Sequence, residues 1–139
     1  MIDQLTVFLG NTEGRLTALC RALGDAGIQM HALALADTTD YGIVRIICDN
    51  PAKAMAALGE EGFAASLAKV AAVEVPNVPG GLAQVFGALD QAGLSIEYCY
   101  CFATAEGHAT VACKVDERAV ALLEEAGFKV LHPNDLYAA

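Results

Sequence analysis

Two stretches of this chain are written almost alike. "LGNTEGRLTALCRALGDAGIQM", Leu9 to Met30, aligns with "VPNVPGGLAQVFGALDQAGLSI", Val75 to Ile96, at a spacing of 66. Asn11 meets Asn77, Gly14 meets Gly80, Leu16 meets Leu82, and Ala26-Gly27 meets Ala92-Gly93. The stretches that follow match at a spacing of 65: "YGIVRIICDNPAKAMAALGEEGF" against "EGHATVACKVDERAVALLEEAGF". A repeat of this length means that one supersecondary unit is built twice, and it limits the fold more than any single motif.

Each copy reads strand, helix, strand, strand, helix, strand. "QLTVFL" alternates, with Leu5, Val7 and Leu9 on one face. Leu16, Leu19, Cys20 and Leu23 then recur at i, i+3, i+4 and i+7, which is one face of a helix. Leu82, Val85, Phe86 and Leu89 repeat it, and Gly27 and Gly93 stand where such helices stop. "IQMHALALA" and "LSIEYCYCFA" follow as strands and turn back into "IVRIICD" and "HATVACKV" as hairpin partners. "PAKAMAALGEEG", with Pro51 near its start, and "DERAVALLEEAG" are second helices. "FAAS" and "FKVL" close the units, and "HPNDLYAA" adds a short turn of helix.

The expectation is an α+β chain of two tandem ferredoxin-like βαββαβ units, residues 1–67 and 68–139. In each, an antiparallel sheet carries both helices on one face. "AKVAAVEV" must open the second unit, so no linker separates the two.

The other face of such a sheet can meet water or a partner. Alternation puts Thr6, Phe8, Leu33, Leu35, Ile43, Arg45 and Ile47 there in the first copy. In the second it puts Ala72, Glu74, Cys99, Cys101, His108, Thr110, Ala112 and Lys114 there. The first set is apolar, so a homodimer through the first-domain sheet face is expected. Packing of one sheet on the other is the alternative. Tyr98, Tyr100 and Phe102, with Ile96 before them, are expected in the core beneath the second-copy helices.

The chain has 139 residues and a net charge of −9, a sign that repels phosphate backbones and anionic membrane surfaces alike. No nucleic acid or membrane partner is expected. The N-terminus has no basic region, and no apolar run reaches the length of a membrane helix. Cys20, Cys48, Cys99, Cys101 and Cys113 are odd in number and contain no C-x-x-C. Buried thiols in a reducing cytoplasm fit this pattern better than a disulfide framework.

The segments "NTEGRLTALCRALGDAGIQM" and "NVPGGLAQVFGALDQAGLSI" resemble the signature of ACT domains. That signature is an Asp or Asn, a variable residue, often Pro, then Gly, a Leu, a helix, and a glycine before the next strand. The resemblance covers nearly the whole chain, twice, and the chain looks like the small stand-alone proteins built from two ACT domains. ACT domains are regulatory modules that bind amino acids, usually between two such units. The resemblance implies ligand-binding residues Asn77, Val78, Pro79, Gly80, Gly81 and Leu82, and in the first copy Asn11, Thr12, Gly14, Arg15 and Leu16.

The physics of such a site is simple. Free N–H groups at a helix start attract a carboxylate, and a missing Cβ at Gly80 or Gly81 lets it approach. The Asn77 side chain is placed to cap the loop or to accept from an ammonium. The second strand of a neighbouring unit would supply the other wall. In the first copy Glu13 replaces the proline and brings a negative charge near any carboxylate, while Arg15 closes the space or pairs with it. Both loops have a plainer reading as strand-to-helix turns.

Cys99-x-Cys101 suits a soft metal or an oxidation sensor, or simply small sheet residues. His31, His108 and His132 have no ligand spacing with a cysteine, and Glu60-Glu61 and Glu124-Glu125 read as solvated helix ends. No Ser/His/Asp set and no dinucleotide glycine fingerprint is present. The expected function is therefore non-enzymatic, with no metal and no cofactor. The resemblance implies a small amino acid as ligand, expected to be apolar by the Ala, Leu, Val and Tyr available, and a separate enzyme as the regulated partner. The alternatives are a structural or oligomerisation module without ligand and a metal-binding ferredoxin-like protein.

Overall fold

A computed structural model describes residues 1–10, 13–37, 41–105 and 107–136. The periodicities become elements in the expected order. β1 (Ile2–Gly10), α1 (Arg15–Asp25), β2 (Met30–Asp37), β3 (Tyr41–Cys48) and α2 (Pro51–Glu60) come first. β4 (Ala64–Pro76), α3 (Gly81–Gln91), β5 (Tyr98–Ala105), β6 (His108–Lys114), α4 (Arg118–Glu125), β7 (Val130–Leu131) and α5 (Pro133–Leu136) complete the chain. The fold is α+β, two tandem βαββαβ units. The division falls inside β4: Asp3–Ala68 form one unit, and Lys69–Leu136 form the other together with Met1–Ile2.

In the first unit the strand order is β2-β3-β1-β4, and in the second β5-β6-β4-β7. Helices α1 and α3 stop on Gly27 (φ 73°) and Gly93 (φ 72°), where a Cβ would be strained. The following amides close the end: Ile28 N–H donates to the Leu23 carbonyl at 2.9 Å, and Leu94 N–H to the Leu89 carbonyl at 3.0 Å. Asn50 caps α2 from a left-handed backbone (φ 47°), its side chain accepting from the Lys53 amide.

Each unit has its own core. Leu5, Val7, Leu9, Val44, Ile46 and Cys48 meet Leu19 and Leu23 of α1 and Ala54 and Leu58 of α2. Ala71, Val73, Val75, Val111 and Cys113 meet Val85 and Leu89 of α3 and Ala119 and Leu123 of α4.

Register corrects the expected faces at both outer strands. Leu33 lies opposite Ile46 and Leu35 opposite Val44, so both leucines stand on the helix side. The cause is a β-bulge between Met30 and Ala32, whose extra residue reverses the parity of everything after it. In the second unit Cys99 lies opposite Cys113, and Cys101 opposite Val111, which puts these thiols on the helix side. Tyr98, Tyr100 and Phe102 face Lys114, Ala112 and Thr110 on the other side, not the core beneath the helices. Ile96 does pack against that core, but it precedes the strand and does not set its parity.

The side of the first sheet away from its helices therefore holds Gln4, Thr6, Phe8, Ala32, Ala34, Ile43, Arg45 and Ile47. Gln4 and Ile47 are fully buried, and Phe8, 46% exposed, is the large apolar side chain on show there. The apolar surface on this face is smaller than alternation alone suggests.

Candidate functional site

The end of β4 and the start of α3 make a tight corner. Asn77 N–H donates to the Gly107 carbonyl at 3.0 Å and pins the end of the strand. Gly81 N–H then donates to the Val78 carbonyl at 3.0 Å, closing a turn, and Gln84 N–H donates to the Gly80 carbonyl at 3.2 Å as the first helical bond. Gly80 is left-handed (φ 86°), and no atom lies within 4 Å of where its Cβ would stand. Gly81 is different. A Cβ there would come to 2.1 Å from the Pro76 carbonyl oxygen. Its missing side chain is filled by the strand's own backbone, not left open for a ligand.

The Asn77 side chain makes no cap on α3. The Leu82 and Ala83 amides find no acceptor among the described residues, as the first amides of a helix generally do not. Residues 77 to 80 are exposed, and Val78 (57%) and Leu82 (39%) present apolar side chains beside those amides. Local positive potential, open space at Gly80 and two aliphatic side chains thus meet at one corner. A cavity of about 330 Å³ shares Pro76 and Gln84 with this corner and also touches Glu74, His108, Phe128 and Lys129. The Lys129 ammonium lies 3.8 Å from the Glu74 carboxylate there.

The first-copy corner follows the same plan with other contents. Gly14 is left-handed (φ 84°), and Ala18 N–H donates to its carbonyl at 3.0 Å. Arg15 stands where the second copy has Gly81, and its guanidinium lies 4.2 Å from the centre of the Phe63 ring. That contact draws the charge towards the end of α2 rather than leaving it over the helix start. Leu16 packs against the first core. Asn11 and Thr12 lie outside the described residues.

The other candidates sort by geometry. All five cysteines are free thiols. Burial pushes Cys48 up to about 11 and Cys113 up to about 12, and the neighbouring Asp49 and the Cys99 and Cys101 thiols add to it. Among the described residues no group of three or more His, Cys, Asp or Glu is placed to hold a metal ion. His31 Nε2 lies 2.8 Å from Asp49 Oδ1. Hydrogen bonds from Arg118 hold the Asp116 carboxyl below the usual range at the start of α4. A larger hollow, about 680 Å³ and lined by Lys69, Lys114 and Glu117 among others, lies at the opposite end of the second sheet from the α3 corner.

A family model described as "ACT domain pair" matches residues 1–137. No curated protein matches the chain. Among solved structures, protein BT0572 from Bacteroides thetaiotaomicron is similar over 99% of this chain and 96% of its own, with 37% identity and a TM-score of 0.92. The ligand-free regulatory subunit of aspartate kinase from Thermus thermophilus is similar over 90% of both chains, with 22% identity and a TM-score of 0.68. The corresponding subunit from Thermus flavus gives 23% identity and a TM-score of 0.64 over the same shares. At those identities the two Thermus proteins share the fold with this chain.

Proposed function

The chain belongs to the ACT domain pair family, and from that footing we propose that it senses a small amino acid and passes the signal to a separate protein. Its fold is that of non-catalytic regulatory ACT subunits, not that of a catalytic domain. The observation that carries the reading is the α3 corner. Two amides without acceptors lie beside a residue with no Cβ, and Val78 and Leu82 flank them. An α-carboxylate fits the amides, and an apolar side chain fits the aliphatic pair. A neighbouring ACT unit closes the other wall. The ligand selects one arrangement of units by its differential affinity for it.

The first-copy corner is the weaker partner in this reading, since Glu13 opposes a carboxylate and Arg15 is engaged with Phe63. The chain acts as a homodimer through the sheet face of its first unit, in a reducing cytoplasm that keeps its five thiols free. An enzyme on another chain is the regulated partner, a reading supported by the aspartate kinase regulatory subunits of like fold.

The test is a thermal-shift screen of ligand-free protein against the proteinogenic amino acids, followed by calorimetry. A ligand at about 100 times its Kd adds about 2.7 kcal/mol of stability. Leu82→Glu, at an exposed position, sets a carboxylate beside the same amides and abolishes the shift while the circular dichroism spectrum is retained. No shift with any amino acid at millimolar concentration favours an assembly module without ligand.

A further inference from the structure

The larger hollow of the second unit, about 680 Å³, lies away from the α3 corner. Its size falls within the roughly 300–1,000 Å³ of sites that hold a whole small molecule. It opens where β4 enters the unit and where β6 runs into α4. Its walls differ in chemistry. Lys69 and Lys114 bring two ammonium groups, and Lys114 Nζ donates to the Lys69 carbonyl at 3.4 Å, which holds that charge over β4. Met1 and Val120, both packed on the second core, make an apolar wall. Asp116 and Glu117 bring two carboxylates, and these are not equivalent. Asp116 accepts from the Arg118 amide at 2.9 Å, from its Nε at 3.0 Å and from its Nη2 at 3.3 Å, so its charge is matched within the chain. The Glu117 carboxylate has no such partner among the described residues.

Ammonium groups and one unmatched carboxylate thus share a hollow with an apolar wall. A simple anion suits the lysines but stands against Glu117, and a simple cation meets the reverse conflict. A molecule with a charge of each sign answers both. Lys114 and Glu117 are three residues apart, so their Cα atoms are at most about 10 Å from each other. A free amino acid carries both charges on one carbon. A dipeptide spreads them over two residues, roughly 7 Å, which fits that span. We propose that this hollow binds a short peptide of dipeptide size. Its carboxylate meets Lys69 and Lys114, its terminal ammonium meets Glu117, and an aliphatic side chain lies against Met1 and Val120.

The inference goes beyond the amino-acid reading and does not depend on it. The experiment is calorimetry on the full chain with leucyl-alanine as probe, beside its N-acetylated and its C-amidated forms. Leucyl-alanine is expected to bind, and blocking either charged end to weaken it about tenfold, the effect of losing one charge-assisted hydrogen bond. Lys69→Gln with Lys114→Gln, and separately Glu117→Gln, are each expected to weaken it by about tenfold or more. Lys53→Gln removes the same charge from α2 of the first unit and is expected to leave binding unchanged. Circular dichroism checks that each variant is folded. Absence of leucyl-alanine binding overturns the proposal. So does binding that Glu117→Gln leaves intact or strengthens, or binding that Leu82→Glu removes, which puts the dipeptide at the α3 corner. Failure here leaves the amino-acid reading to be judged by the thermal-shift screen alone.

Discussion

Gly80 and Gly81 are neighbours that cannot be exchanged for other residues, each for its own reason. Gly80 needs a left-handed backbone and has open space around it. Alanine there is expected to cost about 1–2 kcal/mol, the penalty of a Cβ in that conformation. Gly81 has no special dihedral but has the Pro76 carbonyl where a side chain would be. Gly81→Ala must push α3 off the strand end and is expected to cost about 1–3 kcal/mol as an overpacked contact. Gly87, two turns along the same helix, has nothing within 4 Å of its absent Cβ. Gly87→Ala is expected to stabilise by about 0.4–1 kcal/mol, because it removes freedom from the unfolded chain. Urea titrations of the three variants read all three signs.

The buried thiols carry a pH signature. Cys48 and Cys113 titrate higher in the folded chain than in the unfolded one, so the folded state holds protons that the unfolded state has released. Their contribution to stability is whole below about pH 8.5, the ordinary thiol value. It is lost as pH climbs towards about 11 and about 12. The fall in urea midpoint between pH 8.5 and pH 11, in reducing buffer, is expected to be shallower in a Cys48→Ala, Cys113→Ala variant than in the parent chain.

At the scale of the element, helices were easy to read and outer strands were not. Leu16, Leu19, Cys20 and Leu23 mark one face, and Leu19 and Leu23 are fully buried on it. The glycines past the helices stand where the chain turns left-handed. In "HALALA" and "YCYCF" both parities are apolar or small, so no polar residue labels the outside. One bulge residue near His31 then suffices to reverse the faces of β2. The candidate corner was legible as a glycine-bearing strand-to-helix turn. The approach of Gly81 to Pro76 and of Arg15 to Phe63 was not, because each joins residues whose distance only the packed chain decides. The exposure of β5 has a chemical readout. Cys99 and Cys101 are expected to react first with a thiol reagent, while Cys48 and Cys113 stay silent until the protein unfolds.

Over the whole molecule, duplication has been kept in the cores and relaxed at the corners. Leu23 and Leu89 hold equivalent places in the two repeats, and both are fully buried. Leu23→Ala and Leu89→Ala are each expected to cost about 2–5 kcal/mol, the range for a leucine cavity that neighbours only partly fill. Matching losses in urea titrations would show that each repeat depends on its own helix. The corners, by contrast, hold Glu13-Gly14-Arg15 in one copy and Pro79-Gly80-Gly81 in the other. β4 leaves little freedom of another sort. It runs 13 residues without a break, and the division between the two units falls within it, between Ala68 and Lys69. Where two domains meet in a loop, a gene can gain or lose a codon at the seam and the protein absorbs it. Within a strand, one added codon turns every later side chain of that strand to the opposite face. The gene is therefore locked at this junction: substitutions can accumulate around it, but its length is as fixed as the reading frame.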